Sequence, residues 1–170
     1  MDEKYSYVLW QGPIGCVGLV ADARRLHELV SAATPEEVCA RIAKSYPQAV
    51  ADNTPVIAEA CRQLDDFFHG RRRQFDLPLD LAQLSPFTAK VLKILKEVAY
   101  GTTLTYGELA ALAGSPQAAR AVGRAMAVNP FPIVIPCHRV IGSGGRMTGY
   151  SGGEGVATKE WLLRFEAENR

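Results

Sequence analysis

The chain has 170 residues, of which 48% are hydrophobic and 22% charged, and its formal net charge is +1. These values are typical of a globular protein long enough to bury one core or two small ones. No run of about 18 apolar residues is present, which argues against a membrane-spanning helix. The N-terminus lacks the basic and then apolar pattern of a secretory signal. We therefore expect a cytoplasmic protein with reduced cysteines and no membrane partner.

Charge is distributed unevenly along the chain. Residues 1–84 carry 9 Lys and Arg against 12 Asp and Glu, whereas residues 85–170 carry 10 against 6. Between Val98 and Gly153 the only acidic residue is Glu108, and four arginines lie in the same stretch. Such a positive field favours a polyanionic partner. A solvated basic face is the alternative explanation.

The first half of the chain predicts a small mixed α/β domain over residues 1–80. Helix starts are indicated by Thr34-Pro35, where Glu37 completes a capping box, and by Thr54-Pro55. The predicted strands span residues 5–10, 14–21 and 26–30, with Gln11-Gly12-Pro13 as the first turn. We expect this domain to brace the other half of the chain, since no catalytic motif occurs in it.

Isolated cysteines and histidines in this half are interpreted as structural residues. No Cys-x-x-Cys pair occurs, which argues against a zinc knuckle or a redox pair. Cys16, Cys39 and Cys61 lie in apolar stretches and are expected to be small core residues. His27 and His69 lack a partner at metal-ligand spacing and are expected at the surface or at a strand end.

A proline-containing connector over residues 77–84 predicts a domain boundary, with a helical C-terminal domain over residues 85–170. Ser85-Pro86 begins its first helix, and a last helix is predicted over residues 158–167. The fold class expected for the whole chain is α/β of the α+β kind. The apolar side chains expected to be buried by these two helices are Phe87, Val91, Ile94, Leu95, Val98, Trp161, Leu162 and Phe165.

Two short helices joined by Gly114-Ser115 predict a helix-turn-helix. Thr105 caps the first, over residues 106–113, and Pro116 opens the second, which reaches Val128. The second helix of this motif normally approaches DNA. Its small side chains permit close approach but read few bases, which predicts affinity without sequence specificity.

A helix that packs tightly in a core is the alternative for this segment. Arg120 and Arg124, one turn apart on the second helix, favour the interpretation as a DNA-binding helix.

The stretch from Pro130 to Tyr150 carries the chemistry. Cys137 is followed directly by His138 and Arg139, and a glycine-rich loop comes after them. The thiolate is the reactive form of cysteine, and a neighbouring imidazole or cation lowers the pKa of the thiol. Cys137 is therefore a candidate covalent nucleophile. A buried structural cysteine is the alternative, because adjacent residues do not have to face one another.

The motif Ile135-Pro136-Cys137-His138-Arg139-Val140, with Asn129-Pro130 before it and Tyr150-Ser151-Gly152-Gly153 after it, resembles the active-site signature of the O6-alkylguanine-DNA alkyltransferases. The likeness extends from about Phe87 to Glu166. It implies DNA repair by direct, irreversible transfer of an alkyl group from O6-alkylguanine to Cys137, with base flipping and self-inactivation.

O4-alkylthymine is a further candidate lesion for a protein of this family. The implied partner is double-stranded DNA, approached through the minor groove by a monomer. Some members of the family hold zinc in the N-terminal half, but this sequence shows no matching ligand set. We therefore expect neither a metal nor a cofactor.

The resemblance also implies roles for the catalytic residues. His138 takes the proton of Cys137 through a water molecule, and Glu166 orients His138. Glu160 is the alternative to Glu166, because the spacing between Gly153 and Lys159 is two residues longer than the family pattern.

Further roles concern the flipped base. Arg120 fills the vacated stack, and Tyr106 hydrogen-bonds the base. The amide of Ser151 binds the guanine oxygen, and the carbonyls of Cys137 and Val140 accept from the exocyclic amine. The remaining residues implied are Asn129, which ties the recognition helix to the active-site strand, and Tyr150 and Pro132, which line the alkyl pocket.

Three other functions fit parts of the pattern. A relative that binds alkylguanine lesions without repairing them has another residue at the cysteine position, and Cys137 is intact here. A helix-turn-helix regulator with a structural cysteine conflicts with the alanine-rich second helix. A Cys-His hydrolase lacks an acyl-binding motif in this sequence.

Overall fold

The computed structural model describes residues 4–150 and 152–170, and the chain divides into two compact units, Met1–Leu81 and Ala82–Arg170. The expected α+β fold class is confirmed, since the first unit contains a small sheet with two helices and the second is mainly helical. Within the described residues, no helix is both long and apolar enough to cross a membrane.

The first unit is built on a four-stranded sheet of order β3-β2-β1-β4, in which β1, β2 and β3 are antiparallel and β4 runs parallel to β1. Its elements are β1 (Ser6–Gly12), β2 (Gly15–Ala21), β3 (Leu26–Ser31), α1 (Pro35–Ser45), β4 (Val50–Ala51) and α2 (Pro55–Phe68).

The central strand β2 is buried on both faces, because Val17, Leu19 and Val20 are each fully buried. Successive side chains of a strand point to opposite faces. Cys16 and Val20 share one face and form a core with Val38 and Ile42 of α1 and with Val30 and Ala32. Helix α2 buries an apolar stripe that includes Ile57, Ala60 and Leu64.

Three predicted helix starts are confirmed. Thr34, Thr54 and Ser85 each accept a hydrogen bond from the backbone amide three residues further on, and each is followed by proline. These side chains satisfy one of the amides left unpaired at a helix start. Proline in the first turn removes no hydrogen bond.

The first turn lies further along the chain than predicted. Gln11 and Gly12 still pair with Cys16 and Gly15, so the loop is the two residues Pro13 and Ile14. Gly15 has φ of +98°. Glycine adopts this left-handed conformation without steric cost, which allows the strand to reverse so tightly.

One expectation about the first unit is wrong. Cys39 is exposed rather than a core residue, and Cys61 is only partly buried, whereas Cys16 is buried as expected. His27 lies near the start of β3, at a strand end as expected, and its ring lies between two carboxylates. Its Nε2 is 2.7 Å from Asp22 Oδ2 and its Nδ1 is 3.2 Å from Asp80 Oδ2.

The second unit consists of four helices and a two-stranded parallel ladder in the part of it that the structure describes. Its elements are α3 (Pro86–Lys96), β5 (Leu104–Thr105), α4 (Tyr106–Leu112), α5 (Ala119–Ala127), β6 (Val140–Ile141) and α6 (Val156–Glu168), with 3₁₀ turns at Cys137–Arg139 and Ser143–Gly145.

The buried faces of the first and last helices of this unit differ in part from the prediction. In α3 the buried residues are Val91, Leu92 and Leu95, whereas the predicted Phe87, Ile94 and Val98 are partly exposed. In α6, Leu162 is buried as expected, but Trp161 and Phe165 are only half-buried and stack on each other with centroids 5.2 Å apart.

The predicted helix-turn-helix is present as α4 and α5, but α5 begins at Ala119 rather than at Pro116. The amide of Ala118 donates to the carbonyl of Ser115, which closes a turn that places Pro116 and Gln117 before the helix. At the start of α4, Thr105 and Glu108 cap each other reciprocally.

Candidate active site

An open cavity of about 1280 Å³ lies in the second unit, and the side chain of Cys137 forms part of its wall. Helices α4 and α5 supply one side, and the loop after β6 supplies the other. The lining residues are Tyr106, Gly107, Ala119, Arg120, Gly123, Met126, Ala127, Cys137, Ser143, Arg146, Thr148, Gly149 and Tyr150.

A buried turn between α5 and the 3₁₀ turn positions Cys137. Residues 130–135 run as turns and bends. Asn129 holds this segment: its Nδ2 donates to the carbonyl of Ile135 at 3.0 Å, and its Oδ1 accepts from the amide of Phe131 at 2.9 Å. Ile133 has φ of +75°, which is strained for a β-branched residue.

The backbone after Cys137 is fixed by strand pairing. The 3₁₀ turn Cys137–Arg139 runs directly into β6, and Val140 pairs with Leu104 in β5. The thiol is therefore held on a short turn between two fixed segments. Its residue is only 5% exposed.

The two residues that follow Cys137 belong to a buried network centred on Glu166, which is fully buried. His138 Nε2 is 2.7 Å from Glu166 Oε1. Arg139 donates to both carboxylate oxygens at 2.8–3.1 Å and to the carbonyl of Val98 at 2.7 Å. The amide of Gly101 donates to Glu166 Oε2 at 3.1 Å. This arrangement fixes the orientation of the imidazole.

The charges of this network follow from its contacts. Burial by itself would raise the pKa of Glu166, but hydrogen bonds from His138 and Arg139 outweigh it and lower the pKa to about 2. Burial lowers the pKa of His138 despite the neighbouring carboxylate. A neutral His138 therefore donates Nε2–H to an ionised Glu166. Its Nδ1 is buried and has no protein hydrogen-bond partner within the described ranges, which leaves that atom to accept a proton.

The thiol itself is protonated at rest. Burial raises the pKa of Cys137, and a hydrogen bond from Asn129 and the charge of Lys159 act in the opposite direction. A cysteine in this state needs a base before it can act as a nucleophile. The pKa of the Tyr150 phenol is also raised well above its usual value, by burial and by the neighbouring Cys137, so Tyr150 keeps its proton.

The mouth of the cavity has polar groups of its own. Tyr106 and Thr148 share a hydrogen bond between their side-chain oxygens at 2.7 Å. Arg120 is exposed on the cavity side of α5. A Cβ built on Gly123, in the same helix, meets no atom within 4 Å, so the helix surface beside Arg120 is open.

The predicted site residues thus fall into three groups. Cys137, Tyr106, Arg120 and Tyr150 lie on the cavity wall, and Ser151 lies outside the described residues. Of the two candidate carboxylates, Glu166 contacts His138 and Glu160 is exposed. The residues that are buried without lining the cavity are His138, Glu166, Asn129, Val140 and Pro132.

Sequence reasoning missed two contacts of the site, which involve Arg139, Thr148 and Lys159. Arg139 was considered only as a cation near the thiol, but it binds Glu166. Thr148 and Lys159 were not identified, although Lys159 is 1% exposed and its Nζ donates to the carbonyl of Thr148 at 2.9 Å. The sequence does contain one signal for Lys159: it lies in the first turn of a predicted helix, where the helix dipole disfavours a cation.

Two family models match the chain in succession. Residues 5–81 match the "6-O-methylguanine DNA methyltransferase, ribonuclease-like domain", and residues 86–168 match the "6-O-methylguanine DNA methyltransferase, DNA binding domain". A methylated-DNA–protein-cysteine methyltransferase of Methanosarcina acetivorans is 38% identical over 160 residues, which cover 94% of this chain and 97% of the relative. The chain belongs to this methyltransferase family.

Other members of the family agree over most of their length. The human methylated-DNA–protein-cysteine methyltransferase is 39% identical over a stretch that covers 91% of this chain and 76% of the human protein. The crystal structure of Mycobacterium tuberculosis OGT in complex with DNA has a TM-score of 0.81 and 37% identity, covering 98% of this chain and 94% of that one. The resemblance inferred from the cysteine motif is thus confirmed, and it extends to the first half of the chain, where the motif provided no evidence.

Proposed function

We infer that this chain repairs DNA by transferring an alkyl group from a methylated base to the sulfur of Cys137. The observation that carries the inference is a buried cysteine on the wall of an open cavity, beside the second helix of a helix-turn-helix. The next residue in the chain, His138, is buried and paired with Glu166. Relatives named for this reaction match nearly the whole chain.

The substrate we propose is O6-alkylguanine in double-stranded DNA. His138 Nδ1 takes the thiol proton, through a bridging water, while Glu166 holds the other ring nitrogen. The sulfur then attacks the alkyl carbon. A carbon–sulfur bond forms, the carbon–O6 bond breaks, and its electron pair passes to guanine, which takes up a proton. This sequence uses the nucleophile, base and orienting group of covalent catalysis.

A stacked base cannot bring its O6 substituent to a buried thiol, so the reaction requires base flipping at a cost of a few kcal/mol. We place α5 against the minor groove, because Gly123 and the alanines beside it leave room for close approach of the duplex. Arg120, at the cavity edge, fills the space that the flipped base leaves.

Within the cavity, Tyr106 is proposed to hydrogen-bond the flipped base. Its hydroxyl already bonds to Thr148 and can form a further hydrogen bond with the base. The carbonyls of Cys137 and Val140 accept from the exocyclic amine, and the amide of Ser151 donates to the guanine oxygen. Tyr150 lines the space for the alkyl group, whereas Pro132 is buried and does not line the cavity.

The product is a thioether, which offers water no reactive linkage, so each chain acts once. We propose that the protein works as a monomer in the cytoplasm and that the first unit braces the second. O4-alkylthymine is included as a second candidate lesion, because the cavity is large enough for either base.

Replacing the sulfur separates binding from transfer. Cys137→Ser should bind a duplex that contains O6-methylguanine with nearly the affinity of the wild type, since the cavity and α5 are unchanged, and it should leave the lesion unrepaired. A gel shift measures the affinity for the duplex, and cleavage of the treated duplex by a restriction enzyme measures repair. Repair by Cys137→Ser would show that another group accepts the alkyl. Cys61→Ser serves as the matched control, since Cys61 lies on α2 in the first unit.

A further inference from the structure

Lys159 occupies a position that is unfavourable for a cation in two respects. Its residue is 1% exposed, and removing an ammonium from water is costly without a compensating partner. It also lies in the first turn of α6, where the positive end of the helix dipole opposes a positive charge. Positions that violate local rules in this way are often retained for function.

The contacts of Lys159 hold its ammonium without neutralising it. Nζ donates to the backbone carbonyl of Thr148 at 2.9 Å and lies 5.9 Å from the centroid of the Tyr106 ring. No Asp or Glu among residues 4–150 and 152–170 forms an ion pair with it. The ammonium is therefore a fixed and uncompensated charge beside two residues of the cavity wall.

Lys159 and Cys137 interact electrostatically. The charge of Lys159 lowers the pKa of Cys137, and the thiolate raises the pKa of Lys159, in each case against the effect of burial. The interaction is reciprocal, as linkage requires. The two residues that Lys159 contacts, Thr148 and Tyr106, line the same cavity as Cys137.

Other charged groups around the sulfur are less suited to stabilising it. His138 is neutral, and the guanidinium of Arg139 is paired with Glu166. Arg120 of α5 and Arg146 of the loop line the cavity but are exposed, where solvent screens their charge. Tyr106 and Tyr150 are the titratable hydroxyls of the wall, and Glu108 of α4 is exposed and bound at the helix cap.

We propose that the Lys159 ammonium balances the negative charge of the Cys137 sulfur while His138 holds the proton, and so sustains the thiolate that attacks the alkyl carbon. This role rests on the proposed function of the site. No bond to Lys159 forms or breaks. The thiol proton moves to His138, the new bond joins sulfur to carbon, and the electron pair of the broken carbon–O6 bond stays on guanine. Lys159 therefore acts only through its charge, as a positioning residue that stabilises the thiolate, and it does not exchange a proton.

The first test removes the charge and keeps the length of the side chain. In Lys159→Met, the apparent pKa of Cys137 should rise by about one pH unit or more. The rate of alkyl transfer near neutral pH should then fall about tenfold and recover as the pH is raised. The ultraviolet absorbance of the thiolate, taken as the difference from the same protein carrying Cys137→Ser, measures this titration without DNA. Lys93→Met, at an exposed position on α3, is the matched control and should leave it unchanged.

Stability separates this role from a purely structural one. A buried ammonium without a counter-charge carries a desolvation cost that an apolar side chain of similar length does not. Lys159→Met should therefore unfold at the same or higher urea concentration than the wild type. A loss of stability together with an unchanged titration of Cys137 would mean that Lys159 only anchors Thr148, and the proposal would be wrong.

A second measurement does not depend on whether Lys159→Met folds. With lysine labelled at the ε-carbon, Lys159 should titrate at higher pH in the wild type than in Cys137→Ser, which cannot form a thiolate. Equal titration in the two proteins overturns the proposal. These readouts involve no DNA, so they separate the two proposals. If Lys159 and Cys137 affect each other's titration but the protein accepts no methyl group, only the proposed function is refuted. If the protein repairs DNA but the two titrations are independent, only the role of Lys159 is refuted.

Discussion

Replacing Glu166 with glutamine tests the buried network in the most quantitative way. The side chain keeps its shape, but it loses the charge that pairs with His138 and Arg139. Arg139 is 4% exposed, so the substitution leaves a guanidinium buried without its counter-charge. Removing one partner of a buried pair costs about 3–5 kcal/mol of stability.

The pKa of Glu166 provides a second measure of the same energy. It is lowered from 4.5 to about 2 in the folded protein. At 1.36 kcal/mol per pH unit this shift corresponds to about 3 kcal/mol, an order of magnitude that agrees with the first value. Because the folded-state pKa is depressed, this stability is present above pH 4.5 and is lost as the pH falls toward 2.

The assay is urea unfolding followed by the fluorescence of Trp161 in a Trp10→Phe background, which reports on the second unit. We expect Glu166→Gln to lose about 3–5 kcal/mol near neutral pH and much less near pH 3. Glu160→Gln, at an exposed position on the same helix, should change stability by less than about 0.5 kcal/mol. Equal effects of the two substitutions, or a loss for Glu166→Gln that does not depend on pH, would refute the reasoning.

Three further predictions follow. Arg120→Ala should impair repair of duplex DNA far more than reaction with free O6-benzylguanine, and equal losses in the two rate assays would contradict base extrusion by Arg120. Gly123→Ala should raise the free energy of unfolding in urea by about 0.5–1 kcal/mol, because its Cβ meets no atom and alanine favours helix; a decrease would reveal a hidden contact. Burial raises the pKa of Asp22, but hydrogen bonds from His27 and two backbone amides lower it overall, so Asp22→Asn should destabilise the protein near neutral pH. The difference in stability between the wild type and Asp22→Asn should shrink as the pH falls below 3.8. If the urea midpoints of the two proteins differ equally at all pH values, this prediction is wrong.

Local signals in the sequence predicted the starts of the helices well. Thr34, Thr54 and Ser85, each followed by proline, begin helices through hydrogen bonds within one turn of the chain. Alternating or continuous apolar runs likewise predicted the three main strands, since burial on a sheet imposes that pattern. Contacts between neighbours along the chain are what such patterns encode.

Contacts between distant residues were predicted less well. The short strands β5 and β6 pair residues more than 30 positions apart and have no period of their own. Arg139 and Glu166 are 27 residues apart, and Lys159 meets the carbonyl of Thr148, a backbone atom that no side-chain pattern marks. The carboxylate partners of His27 were not predicted for the same reason, because Asp80 is distant from it along the chain.

The candidate site was predicted from a short motif whose chemistry is local. Cys137 and His138 are adjacent, and the resemblance supplied Glu166, which the structure places against His138. The motif predicted no conformation for the segment before Cys137, which Asn129 and the strained Ile133 hold in a turn. Apolar residues alone could not distinguish a buried turn from a buried strand.

The most direct test of the account is to follow the methyl group itself. The protein is incubated with excess duplex in which O6-methylguanine carries a deuterated methyl group, and the intact chain and its peptides are then weighed by mass spectrometry. We predict one deuterated methyl per chain, on the peptide that contains Cys137, and no further increase with time. Label on Cys16, Cys39 or Cys61, several labels per chain, or an unlabelled chain after full exposure would contradict the central claim.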